Sequence, residues 1–282
     1  MNGLALAMVL GSGMLHAIWN LLAKRSGSQM AFLWWAQLVA VVVFLPIALL
    51  LEWDVFPIGI IPFGYLLISM TLHGAYLVLL AFAYRAGDLS VVYPIVRGTG
   101  PVLVPLLGVL VLHDRLSLWN AAGIALITLG IWLIGRGRRS SGAVPGKVIG
   151  LALAVGLAIT AYTFVDKLAI SYGGIPPLTL NAASNVGNWL CLMPFALREG
   201  RWAAEGRENK RFWMLGGLFA SGGYTLFLYA LQLEPVSRLA PMREIGTVFG
   251  TLLGIFILKE AHGPDRLIAS TLIVLGVIAM AL

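Results

Sequence analysis

Long apolar runs separated by short polar loops occupy almost the whole chain. Ten of these runs are about 20 residues long, which is the length a helix needs to cross the apolar core of a bilayer. The first run has no basic region before it and no small-residue cleavage site after it, so it is interpreted as a membrane span and not as a signal peptide. The pattern predicts an all-α integral membrane protein with ten transmembrane helices. The predicted segments are 3–23, 29–51, 60–84, 90–112, 117–135, 148–171, 177–197, 212–232, 236–258 and 266–282.

Two linkers are longer than the others. Residues 136–147 are basic and rich in Gly and Ser, and they separate a five-segment half at 1–135 from a second five-segment half at 148–282. Residues 198–211 are strongly charged and are predicted to form an amphipathic surface loop.

The two halves of the chain are weakly repeated. Arg97 and Arg243 lie inside apolar segments at corresponding places, 146 positions apart. Because five is an odd number of spans, the second half must enter the membrane from the opposite side, which predicts two inverted five-helix repeats. The offset of 146 also aligns Gly100 with Gly246, Gly108 with Gly254, Asp114 with Glu260 and Gly130 with Gly276, while offsets of 143 and 145 align Trp19 with Tyr162, Lys24 with Lys167, Phe82 with Phe227 and Tyr84 with Tyr229.

Composition supports the membrane assignment. The chain is 60% hydrophobic and 11% charged, with a mean hydropathy of +0.92, whereas soluble domains carry roughly 25% charged residues. The chain has a net charge of +7, and its basic residues lie mostly in the loops between apolar segments, so nucleic acid is not expected as a partner and the lipid bilayer is. The single cysteine, Cys191, forms no internal disulfide.

The distribution of basic residues predicts the orientation in the membrane. Loops after segments 1, 3, 5, 7 and 9 hold 14 basic residues, against three on the opposite side, namely Arg115, Lys167 and Arg238. The positive-inside rule places the first set in the cytoplasm. Both termini are therefore expected outside the cytoplasm, in a multi-pass protein of the cytoplasmic membrane.

The two intramembrane arginines are the strongest functional signal. A charge at membrane depth costs several kcal/mol on most scales and is usually retained for a binding site or pathway. Arg97 shares its segment with Pro94, Pro101 and Pro105, which predicts a broken helix that lines a cavity. Snorkelling to the interface is the alternative, but it gives no reason for a second arginine after Pro241.

Glu244 is the only carboxylate that this interpretation places inside the membrane. It has three open roles: neutralising Arg97 or Arg243 when the site is empty, forming a static ion pair, or taking up a coupling proton.

Other polar and aromatic residues within the segments are candidates for the lining of a cavity. The predicted substrate-binding set is completed by His16, Trp19, Asn20, His73, Tyr76, Tyr93 and Tyr224. Further candidates for the lining are Asn181, Ser184, Asn185, Asn188 and Ser221, and the spacing of the three asparagines favours hydrogen bonds between helices over ligand contact. Gly100, Gly108, Gly246, Gly250 and Gly254 are interpreted as packing surfaces.

Catalytic and cofactor motifs are lacking in the sequence. It contains no HExxH, GxSxG or CxxC motif and no paired intramembrane carboxylates, so an enzyme is disfavoured and no catalytic residue is predicted. His16 and His73 have no Cys, Asp or Glu companions for a metal cage, and the segment RGTGP lacks the context of a nucleotide motif. No metal and no cofactor is expected.

Several of these features together carry a family resemblance. The stretch from Trp19 to Lys24, the Pro- and Gly-rich fourth segment ending in Asp114, Glu260 after the ninth, and the late glycines Gly130 and Gly276 resemble the drug/metabolite transporter superfamily, specifically its EamA-like transporters. The resemblance implies that spans 1, 3, 4, 6, 8 and 9 surround a central cavity, with spans 5 and 10 peripheral. The stretch HAIWNLLAKRSG is similar to permeases of this family associated with phosphonate use. The resemblance also implies cytoplasmic termini, which opposes the orientation expected from charge.

The sequence thus predicts a secondary-active transporter of a small polar metabolite that works by rocking two repeats around a central site. Two arginines favour an anionic or zwitterionic substrate, such as an amino acid, an organic acid or a phosphonate. The proton is a candidate coupling ion. The alternatives are an exporter of drugs or hydrophobic cations, and a non-transporting structural membrane protein in which the arginines hold helices together.

Orientation can be tested with reporters fused to the C-terminus. The charge bias predicts that alkaline phosphatase, which is active only outside the cytoplasm, is active at this position, and that green fluorescent protein is dark. A fluorescent fusion without phosphatase activity would show instead that the family expectation of cytoplasmic termini is correct.

Overall fold

The computed structural model describes residues 1–86, 89–136, 145–258 and 264–282 of the chain. This part is entirely helical, apart from loops and a short 3₁₀ turn at Trp53–Val55. Glu260, the partner of Asp114 in the repeat alignment, and most of the predicted linker 136–147 lie outside the described residues. The helices are α1 (Gly3–Lys24), α2 (Gln29–Leu51), α3 (Ile60–Ala86), α4 (Leu89–Leu112), α5 (Leu118–Arg136), α6 (Gly146–Ser171), α7 (Pro177–Arg198), α8 (Trp202–Glu208), α9 (Lys210–Leu233), α10 (Val236–Met242), α11 (Ile245–Leu258) and α12 (Pro264–Ala281).

The length and polarity of these helices match a multi-pass membrane protein. Within the described residues, seven helical stretches are long and apolar enough to cross a bilayer: α1, α2, α3, α4, α6, α9 and the stretch Val236–Ile257, which combines α10 and α11. Two further apolar stretches, Leu118–Ile134 in α5 and Arg266–Ala281 in α12, are shorter. Every predicted segment coincides with a helix, except that the ninth is divided into two.

That division corrects the predicted position of the helix break. The fourth segment was expected to be broken, yet α4 is continuous through its three prolines. Proline fixes φ near a helical value, so the helix can continue although each ring removes a hydrogen bond and crowds the carbonyl group of the preceding turn. The ninth segment is broken instead, at Arg243 and Glu244. There the amide groups of Glu244, Gly246 and Thr247 bond to carbonyls three residues back, which tightens the chain between α10 and α11.

Equivalent helices of the two halves occupy equivalent places. When α1 to α5 are matched with α6, α7, α9, α10–α11 and α12, the contact of α1 with α9 repeats as α6 with α3, and that of α4 with α6 repeats as α11 with α1. The matched helices α5 and α12 pack antiparallel, since Gly123 lies beside Gly276 and Gly130 beside Ala269. Antiparallel packing of matched helices is the arrangement that an inverted repeat generates.

Glycines bring several of these helices into close approach. A Cβ atom added to Gly246 would lie 3.1 Å from the carbonyl oxygen of Gly13, and one added to Gly108 would lie 3.0 Å from Cβ of Ser237. The predicted packing role is confirmed at both positions. Gly250 differs, because its Cβ would meet nothing within 4 Å.

Buried acidic residues hold the amino ends of α2 and α7. Glu52 accepts hydrogen bonds from the backbone amides of Leu178 (3.3 Å) and Thr179 (2.7 Å) at the start of α7. At the start of α2, Glu205 accepts from the amide of Ser28 at 3.2 Å. Glu205 belongs to the predicted surface loop 198–211, which contains the short helix α8 and folds inward at this buried residue. Carboxylates at these positions satisfy amide groups that the helices leave without partners.

The contact between α5 and α12 gives a stability prediction. A methyl group at Gly276 would lie 2.7 Å from the carbonyl oxygen of Gly123, so Gly276→Ala is expected to force the two helices apart. We expect a loss of about 1–3 kcal/mol in the free energy of unfolding, measured by equilibrium unfolding in mixed micelles. Gly150→Ala in α6 is the matched control, because a Cβ there meets nothing within 4 Å. Equal stability of the two variants would show that α5 and α12 accommodate a methyl group at this contact.

Candidate functional site

An ion pair joins the two halves of the protein at the centre of the bundle. A nitrogen of the Arg97 guanidinium group on α4 lies 3.1 Å from Oε2 of Glu244, in the junction between α10 and α11. Glu244 is 6% exposed and also accepts a hydrogen bond from Thr247 Oγ1 at 3.4 Å. Thr247 in turn lies 3.1 Å from the hydroxyl group of Tyr93 on α4. Of the two arginines, Arg97 is therefore the one that Glu244 neutralises.

The second predicted arginine, Arg243, packs on aromatic rings. Its guanidinium carbon lies 4.9 Å from the ring centre of Tyr224 and 4.7 Å from that of Phe227, both on α9. Such distances are typical of cation–π contacts, which stabilise a cation without neutralising its charge.

Both arginines border one small cavity. Its volume is about 30 Å³, which is room for one or two water molecules, whereas pockets for small-molecule ligands span about 300–1,000 Å³. The cavity is too small to hold a metabolite in this conformation, so a metabolite binds there only if the surrounding helices separate. Its polar and aromatic lining consists of Arg97, Tyr162, Thr163, Phe227, Arg243 and Glu244.

A buried carboxylate that the sequence interpretation missed lies next to this cavity. Asp166 on α6 is 0% exposed and accepts a hydrogen bond from Ser69 Oγ at 2.6 Å. Its other oxygen lies 2.9 Å from His73 Nε2 and accepts a hydrogen bond from the hydroxyl group of Tyr224. Glu244 is therefore not the only carboxylate inside the helical bundle, as the sequence had suggested.

The adjacent lysine explains why Asp166 was overlooked. Both residues lie in the predicted sixth segment and in α6, but Lys167 was counted among the basic residues at one side of the membrane, so Asp166 beside it was not considered as an intramembrane carboxylate. The Lys167 ammonium group points the other way and donates to the carbonyl oxygens of Leu231 (2.6 Å) and Glu234 (3.1 Å) at the end of α9. A usable signal was the four-residue spacing from Tyr162, which puts Asp166 on the helix face that lines the cavity.

Aromatic contacts join this carboxylate to the cavity. The imidazole of His73 stacks on Tyr162 with ring centres 4.0 Å apart, and Tyr76 meets the same ring at 5.5 Å. Tyr224 connects the two groups directly, because its hydroxyl donates to Asp166 while its ring lies against Arg243. The structure thus brings His73, Tyr76 and Tyr224 together with the arginines, as it does Tyr93 through Thr247.

The candidates on α1 lie apart from this group. Trp19 donates from Nε1 to Nδ1 of His16 at 3.1 Å, and Asn20 donates to the His16 carbonyl oxygen at 2.7 Å. Asn20 is exposed, and neither Trp19 nor Asn20 borders the cavity. His16 is within electrostatic range of both arginines.

Asn181 and Asn185 on α7 form the predicted bonds between helices. Asn181 donates to Ser221 Oγ (2.7 Å) and Thr225 Oγ1 (2.8 Å) on α9, and Asn185 donates to Ser221 Oγ at 2.7 Å. Ser184 lies 3.1 Å from Ser69 on α3. These contacts fix α7 against the two helices that carry His73 and Tyr224.

Comparison with known proteins identifies the architecture. The model of the EamA-like transporter family matches the chain twice, at residues 3–136 and 146–282. A solved structure, titled only as the crystal structure of a protein, is similar with a TM-score of 0.78 over 99% of this chain and 96% of the other. At 16% identity this likeness shows the fold alone. No curated protein matches the chain.

The ion pair at the centre gives a prediction for a double-mutant cycle. Removing one partner of a buried pair leaves an uncompensated charge, so Arg97→Gln and Glu244→Gln are each expected to cost about 3–5 kcal/mol. The double variant is expected to lose less than the sum of the two, by about 1–3 kcal/mol. Equilibrium unfolding in mixed micelles measures all three, and strictly additive losses would show that the pair contributes no coupling.

Proposed function

Because the chain belongs to the EamA-like transporter family, we propose that it is a secondary transporter of a small anionic or zwitterionic metabolite. The proposed site is the cavity between Arg97 and Arg243. Amino acids, organic acids and phosphonic acids are the substrate classes that this site fits. Transport proceeds by alternating access, with ten spans in two inverted repeats that rock around the site.

The observation that carries this proposal is the incomplete neutralisation of the two arginines. Glu244 pairs with Arg97, whereas among the described residues no carboxylate lies within ion-pair distance of Arg243. Arg243 is held against the faces of Tyr224 and Phe227 instead. A guanidinium group binds carboxylate and phosphonate groups through parallel hydrogen bonds, so this cation suits the acidic group of a substrate.

Glu244 extends the range of substrates to zwitterions. It lies in the same cavity as the arginines, so an ammonium group of the substrate can replace Arg97 as its partner while the acidic group binds an arginine. This arrangement fits amino acids and aminophosphonates better than simple dicarboxylates, which present no cation to Glu244.

The helix break supports a mechanism of alternating access. Arg243 and Glu244 lie in the junction of α10 and α11, where the regular helical hydrogen bonds are interrupted. Such junctions absorb changes of backbone angle between conformations. The cavity lies where α4 of one half meets α10 of the other, so rocking the halves widens it.

The orientation in the membrane is part of the proposal. The amino group of Met1 lies 3.5 Å from the carbonyl oxygen of Ala281, which supports both termini being on one side of the bundle. The charge bias of the loops favours the extracytoplasmic side of the cytoplasmic membrane.

A structural role is the second candidate, and the ion pair favours it. If the arginines serve only to hold α4 against the α10–α11 junction, their removal lowers stability and leaves transport intact. Export of hydrophobic cations is disfavoured, because two arginines against one glutamate leave the cavity lining positively charged.

Substitution of the arginines tests the proposed site. Purified protein in proteoliposomes is assayed for uptake of radiolabelled alanine, succinate and 2-aminoethylphosphonate. We expect Arg243→Gln to reduce uptake of the transported probe at least tenfold with little loss of stability, because its charge is not neutralised by a carboxylate. Arg238→Gln is the control, since Arg238 pairs with Glu234 at 3.6 Å outside the cavity. Uptake that survives both Arg97→Gln and Arg243→Gln would contradict the anion site.

A further inference from the structure

Asp166 and His73, here called the Asp–His pair, form a buried acid–base contact that the proposed anion site does not require. Asp166 is fully buried, and its partners besides His73 are the neutral hydroxyl groups of Ser69 and Tyr224. A buried carboxylate without a compensating charge is strongly disfavoured. A proton on the carboxylate or on the imidazole removes this cost, so the pair is built to hold one proton in one of two places.

No neighbouring cation replaces this proton as the compensating charge for Asp166 among the residues that the structure describes. Among the described residues, no arginine or lysine lies within ion-pair distance of Asp166. Lys167 is engaged by carbonyl oxygens at the end of α9, and Glu244 is engaged by Arg97. The titratable and charged groups on the surrounding helices are His16 on α1, Tyr76 on α3, Arg97 on α4, Tyr162 and Lys167 on α6, Cys191 on α7, Tyr224 on α9, and Arg243 and Glu244 at the junction.

The Asp–His pair is not a product of the repeat. At the offset of 143 that aligns the first span with α6, the position equivalent to Asp166 is Ala23. At the offset of 145, the position equivalent to His73 is Leu218. The pair is therefore an addition to the symmetric framework, and it lies between α3 of the first half and α6 of the second.

Tyr224 links the pair to the anion site. Its hydroxyl group is bonded to Asp166, and the face of its ring is in contact with Arg243. Tyr162 makes a second link, because it stacks on His73 and borders the cavity. A change of charge on the pair therefore alters the electrostatic potential at the arginines, because only a single side chain of low polarity separates them.

The formal charges give the sign of this coupling. Arg97, Arg243 and Glu244 together contribute one net positive charge. When the Asp–His pair holds a proton, it is neutral and the net charge stays at one positive charge. When the proton is lost, the negative charge of Asp166 reduces the net charge to zero. An acidic substrate group therefore binds better to the protonated state, so substrate and proton favour each other's binding.

We propose that the Asp–His pair is a single-proton site whose occupancy is coupled through Tyr224 to substrate binding, which makes this protein a proton symporter. The inference rests on the proposed function for its substrate, but the proton site itself does not. Glu244, which the sequence had offered as the proton acceptor, serves Arg97 as its partner.

A spectroscopic titration tests the proton site without any substrate. Infrared difference spectra are recorded on purified protein in lipid nanodiscs over the whole pH range in which the protein stays folded. We expect a carboxyl or imidazolium band that disappears in Asp166→Asn and persists in Glu244→Gln. His73→Gln serves as a second variant of the pair, should Asp166→Asn fail to fold. Spectra that titrate identically in wild type and in both variants of the pair would overturn the proposal.

Transport measurements test the coupling. With alanine, succinate and 2-aminoethylphosphonate as probes, an imposed gradient of one pH unit, acidic on the outside, is expected to raise wild-type accumulation by up to about tenfold for one coupled proton. Asp166→Asn imitates the protonated state, so it should retain exchange of labelled for unlabelled probe and lose the response to the gradient. Thr71→Val is the control on α3, because Thr71 is exposed and bonds only its own helix.

The outcomes separate the two proposals. Gradient-driven accumulation by Asp166→Asn at the wild-type level would overturn proton coupling and leave the anion site standing. Loss of both exchange and accumulation, in a variant that elutes as a folded protein, would make Asp166 part of the binding site and also overturn the symport proposal. If the wild type moves none of the probes, the proposed function fails for these classes, and the titration alone decides the proton site.

Discussion

The cost of a charge in an apolar interior governs the arrangement of this bundle. Arg97 has Glu244 as its partner, Asp166 has His73 and two hydroxyl groups, and Lys167 has the carbonyl groups at the end of α9. Each of these contacts joins different helices, and the contacts of Arg97 and Asp166 join the two halves. Helices that share a buried charge are fixed relative to each other more strictly than apolar packing requires, because separating them exposes a charge without a partner.

The two halves use the same framework differently. Both place an arginine in the segment that faces the other half, but only the second half breaks its helix there, after Pro241. In α4 the three prolines leave a continuous helix, so Arg97 is carried on a regular element. Opposite it, Glu244 lies in a segment whose regular helical hydrogen bonds are interrupted. The repeat accounts for the position of both arginines at one cavity, and the helix break is a departure from the repeat.

The sequence predicted the segments and the arginines because both depend on local properties. Twenty apolar residues form a spanning helix in almost any context, and a charge among them is conspicuous by itself. Asp166 was missed because its role depends on contacts with other helices. Beside Lys167 and close to a helix end, it looks in the sequence like a residue at the membrane boundary. The break at Arg243 was misplaced for a similar reason, since three prolines in α4 are a stronger local signal than one in the ninth segment, but the packing around each decides the outcome.

The ion pair between Arg97 and Glu244 also determines what a substrate has to do. In this conformation the pair holds α4 against the interrupted segment, so widening the site without a ligand separates a buried cation from a buried anion. Under the proposed function, an acidic group from the substrate can take the place of Glu244 on Arg97, and an ammonium group or a proton-dependent rearrangement can compensate Glu244. The loaded protein then crosses between conformations with its charges partnered, while a partly loaded one does not. The same electrostatic cost that holds the bundle together would in this way make movement depend on the substrate being bound.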